Sequence, residues 1–344
     1  MSSKIKLIIV TKNYGKNFTG ATLATQYFVE RWKDFFDSIM VFTLNVGEYK
    51  QNDNVVIRLC DNENGMYRLL LSEKRKNEQS VLGYSDDHLG FLLGNSGITY
   101  VHTYHGNWPY ARWVSVEFFV KSFYFMPLYR KTIHKAKYIV NVSNYMENFT
   151  KQYNKNSVII HNGMDFKIER HGEILHNSFL MVGNIDSRKY ALAIKLAKLI
   201  YKRAPQIMID IYGKIIDDNI AVKLKRIPNI SLKGLCNDIP YDSYCGLINT
   251  SKIENLSISV CEAIKAEKPV FCFNVGGLSE VVKEKETGYL FEIKDINKMV
   301  NKIVEYDKSE KKIKVNASII DSFDWNIAAK KYIELFMRIE DKVI

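Results

Sequence analysis

The amino-acid sequence predicts an α/β fold made of two βα domains with a central cleft between them. Three observations carry this. Short β-prone runs, such as Leu7-Ile8-Ile9-Val10 and Phe179-Leu180-Met181-Val182, alternate with stretches of helical spacing. That alternation belongs to parallel sheets covered on both faces. A polar stretch over 167–177 interrupts the series, and a second series of the same kind follows it. A chain of 344 residues, 47% of them hydrophobic, supplies enough apolar material for two cores.

In chain order, 7–10 reads as the first strand, a polar loop carries Gly15 and Gly20, and 21–33 has helical spacing. Residues 38–44 form a second strand, and 98–103 another that ends at Tyr104-His105-Gly106. Residues 137–142 are strand-like, followed by Ser143 and a helix through Tyr153; 157–160 close the half at His161-Asn162-Gly163-Met164-Asp165. The boundary falls near 165–178. In the second half, 179–182, 207–212, 229–232 and 270–273 are strands and 191–203 is a helix. Gly213 and Gly234 follow two of these strands, and a Gly276-Gly277 turn lies beyond another. In such sheets ligands bind beyond the carboxyl ends of the strands, where most of the distinctive residues fall.

The formal charge of +11, from 49 Lys+Arg against 38 Asp+Glu, points to an anionic partner: nucleotide phosphates, a membrane surface or nucleic acid. Stacking-aromatic and recognition-helix signatures of nucleic-acid modules are missing, so no nucleic-acid partner is expected. The cysteines, Cys60, Cys236, Cys245, Cys261 and Cys272, are odd in number and form no CxxC pair. A disulfide framework is not expected, which favours the cytoplasm. The first residues lead into a short strand without the length or cleavage site of a signal peptide, and no apolar run approaches the ~20 residues that span a bilayer. Between Trp108 and Lys137 aromatics crowd together with Arg112, Lys121, Arg130, Lys131, Lys135 and Lys137 against the single acid Glu117. Such a segment either lies in a membrane interface or packs its aromatics into a core.

Chemistry concentrates in Glu254-Asn255-Leu256-Ser257-Ile258-Ser259-Val260-Cys261-Glu262, followed by Lys268-Pro269-Val270 and Gly276-Gly277-Leu278-Ser279-Glu280. A loop carboxylate precedes a helix opened by small polar residues, and a second carboxylate rides on that helix among apolar neighbours. Charges in apolar surroundings need a partner, and helix N-terminal amides favour anionic oxygens.

Together with Gly20, His105-Gly106, Ser143, the His161 to Asp165 run, Gly183 with Lys189, Tyr212-Gly213 and Phe323-Asp324-Trp325, this block resembles the retaining family-4 glycosyltransferases of group 1, which have the double-Rossmann GT-B fold. The resemblance implies an N-terminal acceptor-side Rossmann-like domain over 1–168, a nucleotide-sugar domain over 169–324, and a helix over 325–344 crossing back to the first domain. It implies that Glu262 accepts hydrogen bonds from the donor's ribose hydroxyls, and that Glu254 faces the donor sugar with Asn255, Leu256 and Ser257 beside it. Lys189 is implied to neutralise the leaving diphosphate, and His105 to lie near the sugar and the reaction centre. Gly20 and Gly213 are implied to let backbone approach the donor, with Thr19 and Thr22 as hydroxyl neighbours; Gly20 reads equally as a plain turn glycine. The family's Arg after the glycine is Asn184 here and the Gly after the Lys is Tyr190, which leaves Arg188 to supply a second cation.

The expected reaction is transfer of a sugar, with retention, from a nucleotide-sugar, UDP-linked by preference, to a glycan or lipid-linked acceptor in bacterial cell-surface polysaccharide synthesis. No metal or other cofactor is expected, since no DxD motif is placed; Asp86-Asp87-His88 is the nearest acidic cluster and reads as a loop. The basic aromatic segment 108–137 would place the protein peripherally on the inner face of the membrane. Rival readings are a catalytically weak partner subunit of the same fold and a nucleotide-sugar epimerase.

Overall fold

The computed structural model describes residues 5–340 apart from 17, 19, 77–79, 165–174 and 237. The chain divides into two compact units, residues 1–163 with 323–344, and residues 164–322. Thr19, Asp165 and the 168/169 boundary of the sequence reading lie outside the described residues.

The first unit holds a parallel sheet of β1 (Ile5–Tyr14), β2 (Ser38–Val46), β3 (Val55–Leu59), β4 (Ser80–Ser85), β5 (Thr99–Tyr104), β6 (Tyr138–Asn141) and β7 (Ser157–Ile159). Its order is β3-β2-β1-β4-β5-β6-β7, with every pair parallel. The helices of this stretch are α1 (Gly20–Trp32), α2 (Glu63–Lys76), α3 (Phe91–Asn95), α4 (Val116–Lys135) and α5 (Glu147–Lys151). The second unit holds β8 (Ser178–Val182), β9 (Met208–Tyr212), β10 (Ile230–Gly234), β11 (Leu247–Asn249), β12 (Val270–Phe273) and β13 (Gly288–Phe291), in the parallel order β10-β9-β8-β11-β12-β13. Its helices are α6 (Ser187–Arg203), α7 (Asp218–Lys225), α8 (Ile258–Lys265), α9 (Leu278–Val281) and α10 (Ile296–Lys308). A last helix, α11 (Trp325–Glu340), belongs to the first unit.

The strands are buried on both faces, so alternate residues feed separate cores. On β1, Leu7 and Ile9 pack in one core with Phe28 and Trp32 of α1 and Tyr332 and Phe336 of α11. Ile8 and Val10 pack in the other with Met66 and Leu70 of α2. Gly163 fits because Trp325 of the returning segment lies against it; a Cβ there would stand 2.2 Å from the Trp325 nitrogen.

The strand order reverses between β1 and β4 in the first unit and between β8 and β11 in the second. A crevice at the carboxyl ends of the strands opens at such switch points. Four strands that the sequence reading passed over, β3, β4, β11 and β13, complete the two sheets, and β4 and β11 are the ones that make the switch points. Helix α6 starts at Ser187 rather than 191, because Asp186 caps it: Oδ1 accepts from the Lys189 amide at 2.9 Å. The helix expected from Ser143 through Tyr153 is a 3-10 turn over Asn144–Met146 followed by α5.

Helix α4 turns little of its aromatic surface inward. Ser122, Met126, Thr132 and Ile133 are its buried residues, while Val116 (81% exposed), Val120 (62%) and Phe123 (71%) face outward with Trp113 just before the helix. The reading of this segment as a core helix with inward-packed aromatics therefore fails for 113–124, although Trp108 is buried. No helix among the described residues is long and apolar enough to cross a membrane, and the five cysteines are free thiols.

Candidate active site

In the second unit, the candidate side chains follow the two strands that flank the switch point. Strand β8 ends at Val182 and gives way to Gly183 and the Asp186-capped α6, which carries Lys189 in its first turn. Strand β11 ends at Asn249 and gives way to the loop that carries Glu254. The two meet: Lys189 Nζ lies 3.4 Å from Glu254 Oε2, with both side chains mostly buried. The Lys189 side chain crosses Gly183, where a Cβ would stand 3.0 Å from its ammonium. The Ser251 hydroxyl donates to the same carboxylate oxygen at 3.2 Å. Thr250 Oγ1 donates to the Lys189 carbonyl at 2.7 Å, tying the loop to α6.

The Gly-Gly turn acquires a physical reason here. Gly276 adopts φ +60° and sits against the Glu254 backbone; a Cβ on it would lie 1.4 Å from the Glu254 carbonyl oxygen. The Gly277 amide then donates to the Asn255 carbonyl at 2.8 Å. The loop that presents Glu254 is thus held from behind by a position that only glycine fills. Gly213 acts in a similar way at the end of β9: its Cβ would stand 2.0 Å from the Gly183 carbonyl oxygen.

Glu262 lies on α8, partly buried, with Oε2 accepting from the Tyr241 hydroxyl at 2.5 Å. Burial pushes the Glu262 carboxyl above its ordinary range, and the Tyr241 hydrogen bond opposes that rise. Asn255 and Ser257 are buried at the entrance to the same helix. The N–H groups in the first turn of α8 have no intrahelical acceptor, as in any helix. Arg188 is turned toward its own neighbour, with Nη2 3.2 Å from Asp186 Oδ2. It shows no contact with Glu254. Asn184 follows Gly183, and Lys189 is the cation whose side chain is ion-paired with Glu254, while Arg188 meets the loop through its carbonyl, which accepts from the Lys252 amide at 3.0 Å.

His105 and Gly20 belong to the first unit. Gly20 is the first residue of α1, just beyond β1. His105 follows β5; burial holds its imidazole down to about 4, so it is neutral at pH 7, and its Nε2 has no hydrogen-bond partner. His102, the competing histidine, is fully buried within β5, with Nδ1 2.9 Å from Ser85 Oγ. His105 lines a cavity of about 280 Å³ with Thr11, Thr22, Asp86, Phe125 and Tyr129 among its walls.

Sequence reasoning missed Asp86 as a site residue. Asp86-Asp87 reads as a loop, yet Asp86 is 5% exposed at the end of β4, beside the switch point of its sheet. Tyr241 also escaped notice, since nothing in the sequence links it to a helix twenty residues later. A strand read over 80–85 would have revealed Asp86; no local signal reveals Tyr241.

Two parallel-sheet units, one with a carboxylate and a lysine meeting at its switch point, were compared with known proteins. Residues 175–319 match the family model "Glycosyl transferases group 1", and residues 72–167 match "Glycosyltransferase Family 4". The two matched stretches are glycosyltransferase domains of the group 1 and family 4 types, and the fold is GT-B. It is 27% identical over 164 residues to a poly(ribitol-phosphate) alpha-N-acetylglucosaminyltransferase of Staphylococcus aureus (strain COL), a match covering 44% of this chain and 33% of that protein. It is 38% identical over 74 residues to the alpha-1,3/1,6-mannosyltransferase ALG2 of Dictyostelium discoideum, covering 21% of this chain and 18% of that one. The matches thus span a third or less of these curated relatives. The crystal structure of Anabaena Alr3699/HepE in complex with UDP and glucose is similar in fold, with TM-score 0.79 and 15% identity over 97% of this chain and 99% of that one.

Proposed function

We propose that the chain transfers a sugar, with retention of anomeric configuration, from a UDP-linked donor to a hydroxyl of a glycan or lipid-linked acceptor in bacterial cell-surface polysaccharide synthesis. The observation that carries this reading is the meeting of Lys189 and Glu254 at 3.4 Å at the switch point of the second unit. A donor diphosphate placed there takes up the Lys189 ammonium, and Glu254 is left to accept from sugar hydroxyls. Glu262, oriented by Tyr241, accepts from the ribose. His105, neutral through burial, remains the candidate for sugar recognition in the first unit.

In the proposed step the bond from the anomeric carbon to the diphosphate oxygen breaks. The acceptor oxygen bonds to that carbon on the same face, and its proton passes to the departing oxygen. The chain's own contribution is orientation and charge stabilisation on the leaving group, with no metal ion or other cofactor. The UDP assignment is supported by the UDP bound to Alr3699/HepE, and the cell-surface pathway by the S. aureus relative. The outward apolar side chains of 113–123, beside the cations Arg112, Lys121, Arg130 and Lys131, support a peripheral position on the cytoplasmic face of the membrane.

A second reading is a partner subunit that transfers weakly. Asn184 stands where the family has a cation, and Arg188 is held by Asp186 instead of replacing it. A thermal-shift screen with UDP, GDP and their sugars, followed by donor hydrolysis, tests both readings. The enzyme reading expects one nucleotide to raise the melting temperature and its sugar to be turned over. Binding without turnover favours the partner, and no binding refutes both.

A further inference from the structure

We infer that Asp210, a buried acid on β9, is a positioning residue for the nucleotide: through Tyr244 and the short turn that ends there, it holds Tyr241 in place and so aims Glu262 at the ribose. The inference rests on the reading of Glu262 as the ribose acceptor under the proposed function.

Strand β9 reads Met208-Ile209-Asp210-Ile211-Tyr212, an apolar strand with one acid inside it. Asp210 is 7% exposed. A carboxylate in such a place costs more than an apolar side chain unless hydrogen bonds and an opposite charge satisfy it. Both are present. Oδ2 accepts from the Tyr244 hydroxyl at 2.7 Å and lies 3.1 Å from the Lys233 ammonium on β10. With the Tyr244 proton committed to Asp210, the Tyr212 hydroxyl must be the donor in the 2.8 Å contact between the two tyrosines. Tyr244 is thus held both as donor and as acceptor, and it is buried.

Tyr244 ends a 3-10 turn over Tyr241–Ser243, and its amide donates to the Tyr241 carbonyl at 3.2 Å. So short a turn has little rigidity of its own. Its position comes from its anchors. The Leu175 amide donates to the Ser243 carbonyl and the Cys245 amide to the Ser178 carbonyl, each at 2.8 Å. The Tyr244 side chain adds an anchor to β9. At the other end of the turn the Tyr241 hydroxyl donates to Glu262 Oε2 on α8, which leaves Oε1 for the donor. The turn therefore bridges Asp210 on β9 to Glu262 on α8, with a tyrosine hydroxyl at each end. The Tyr241 to Glu262 bond is 2.5 Å long. A further stretch of about 1 Å takes such a bond to the limit of hydrogen bonding, so a small retreat of the turn releases Glu262.

The test measures ribose discrimination on the full chain by isothermal titration: the ratio of the dissociation constants of 2′-deoxy-UDP and 3′-deoxy-UDP to that of UDP. The wild type is expected to give a ratio of about tenfold or more for at least one of them, and Glu262→Ala a ratio near one. Tyr244→Phe and Asp210→Ala are expected to bring the wild-type ratio down to about threefold or less, with binding of the deoxynucleotide changed by less than about twofold. Asp210→Asn keeps an acceptor for the Tyr244 hydroxyl and is expected to hold the ratio within about twofold of the wild type. Adding Tyr244→Phe to Tyr241→Phe is expected to change the ratio no further, because both act along one path. Ile303→Val, a core truncation on α10, is expected to lower the melting temperature and leave the ratio alone, which marks what a merely structural loss does. Melting curves show that each variant is folded; where Asp210→Ala is not, Tyr244→Phe carries the test, since it removes a single oxygen atom.

A wild-type ratio in Tyr244→Phe and Asp210→Ala overturns the inference. So does an equal loss of affinity for UDP and its deoxy forms, or an Asp210→Asn variant no better than Asp210→Ala. Discrimination that survives in Glu262→Ala sinks the ribose reading of Glu262 and this inference with it, as does a wild type that does not bind UDP. Discrimination lost in Glu262→Ala but kept in Tyr244→Phe and Asp210→Ala sinks this inference alone.

Discussion

Gly276→Ala adds one methyl group and tests how the Glu254 loop is held. Alanine at φ +60° costs about 1–2 kcal/mol by itself. Its Cβ would stand 1.4 Å from the Glu254 carbonyl oxygen and 2.6 Å from the carbon, where non-bonded atoms need about 3.5 Å. The loop must therefore retreat by roughly 2 Å. A retreat of that size opens the 3.4 Å contact with Lys189 and the 3.2 Å hydrogen bond from Ser251. Loss of these mostly buried polar contacts adds about 1–2 kcal/mol, for a total near 3 kcal/mol, or a melting-temperature fall of roughly 6–12 °C. Gly234→Ala is the control: φ is +78° in the same unit, and no atom lies within 4 Å of the added methyl. It carries the backbone cost alone. Melting curves and UDP titration of both variants are the assay, with at least tenfold weaker UDP binding expected of Gly276→Ala and less than twofold change for Gly234→Ala. Equal effects of the two on stability and on affinity refute the claim that Gly276 positions Glu254.

Tyr241→Phe removes the 2.5 Å hydrogen bond to Glu262. UDP affinity is expected to fall about tenfold, as for a hydrogen bond to a charged group. Because that bond lowers the Glu262 carboxyl, its loss raises it further, so the decline of affinity as pH falls should begin at a higher pH than in the wild type; titration across pH with 2′-deoxy-UDP as comparison checks this. Exposed Val120 and Phe123 are expected to enter a lipid interface. Changing both to Ser should weaken sedimentation with vesicles containing anionic lipid by about tenfold or more, without altering UDP affinity. Equal sedimentation of variant and wild type removes the membrane proposal.

Much of the fold was legible because short β-prone runs and helically spaced stretches repeat along the chain. The strands that escaped did so for local reasons. In β4, Ser80-Val81-Leu82-Gly83-Tyr84-Ser85, a glycine interrupts the apolar run; it is there because a Cβ would press to 2.7 Å from the Tyr100 Cβ on β5. Strand β11 has only three residues, Leu247–Asn249, too few to show a period. The loop reading of Asp86-Asp87 holds, but missing β4 hid that this loop follows a strand at the switch point and lines a cavity. The Glu254 to Glu262 block stood out in the sequence, and so did Gly276-Gly277. Their connection did not, because it is a backbone contact between segments far apart in the chain. Helix α4 misled for a different reason: it carries aromatics on nearly every face, so periodicity gives no inward direction. Arg188 followed Asp186, a partner two residues away that charge counting alone does not reveal.

Lys189 and Glu262 are proposed to grip a nucleotide-sugar in the second unit. Isothermal titration of UDP into the wild type, Lys189→Ala and Glu262→Ala tests it most directly. The account predicts binding by the wild type and losses of about 30-fold or more in Lys189→Ala and about tenfold in Glu262→Ala, with each variant folded as judged by its melting curve. Wild-type affinity retained by both variants contradicts it.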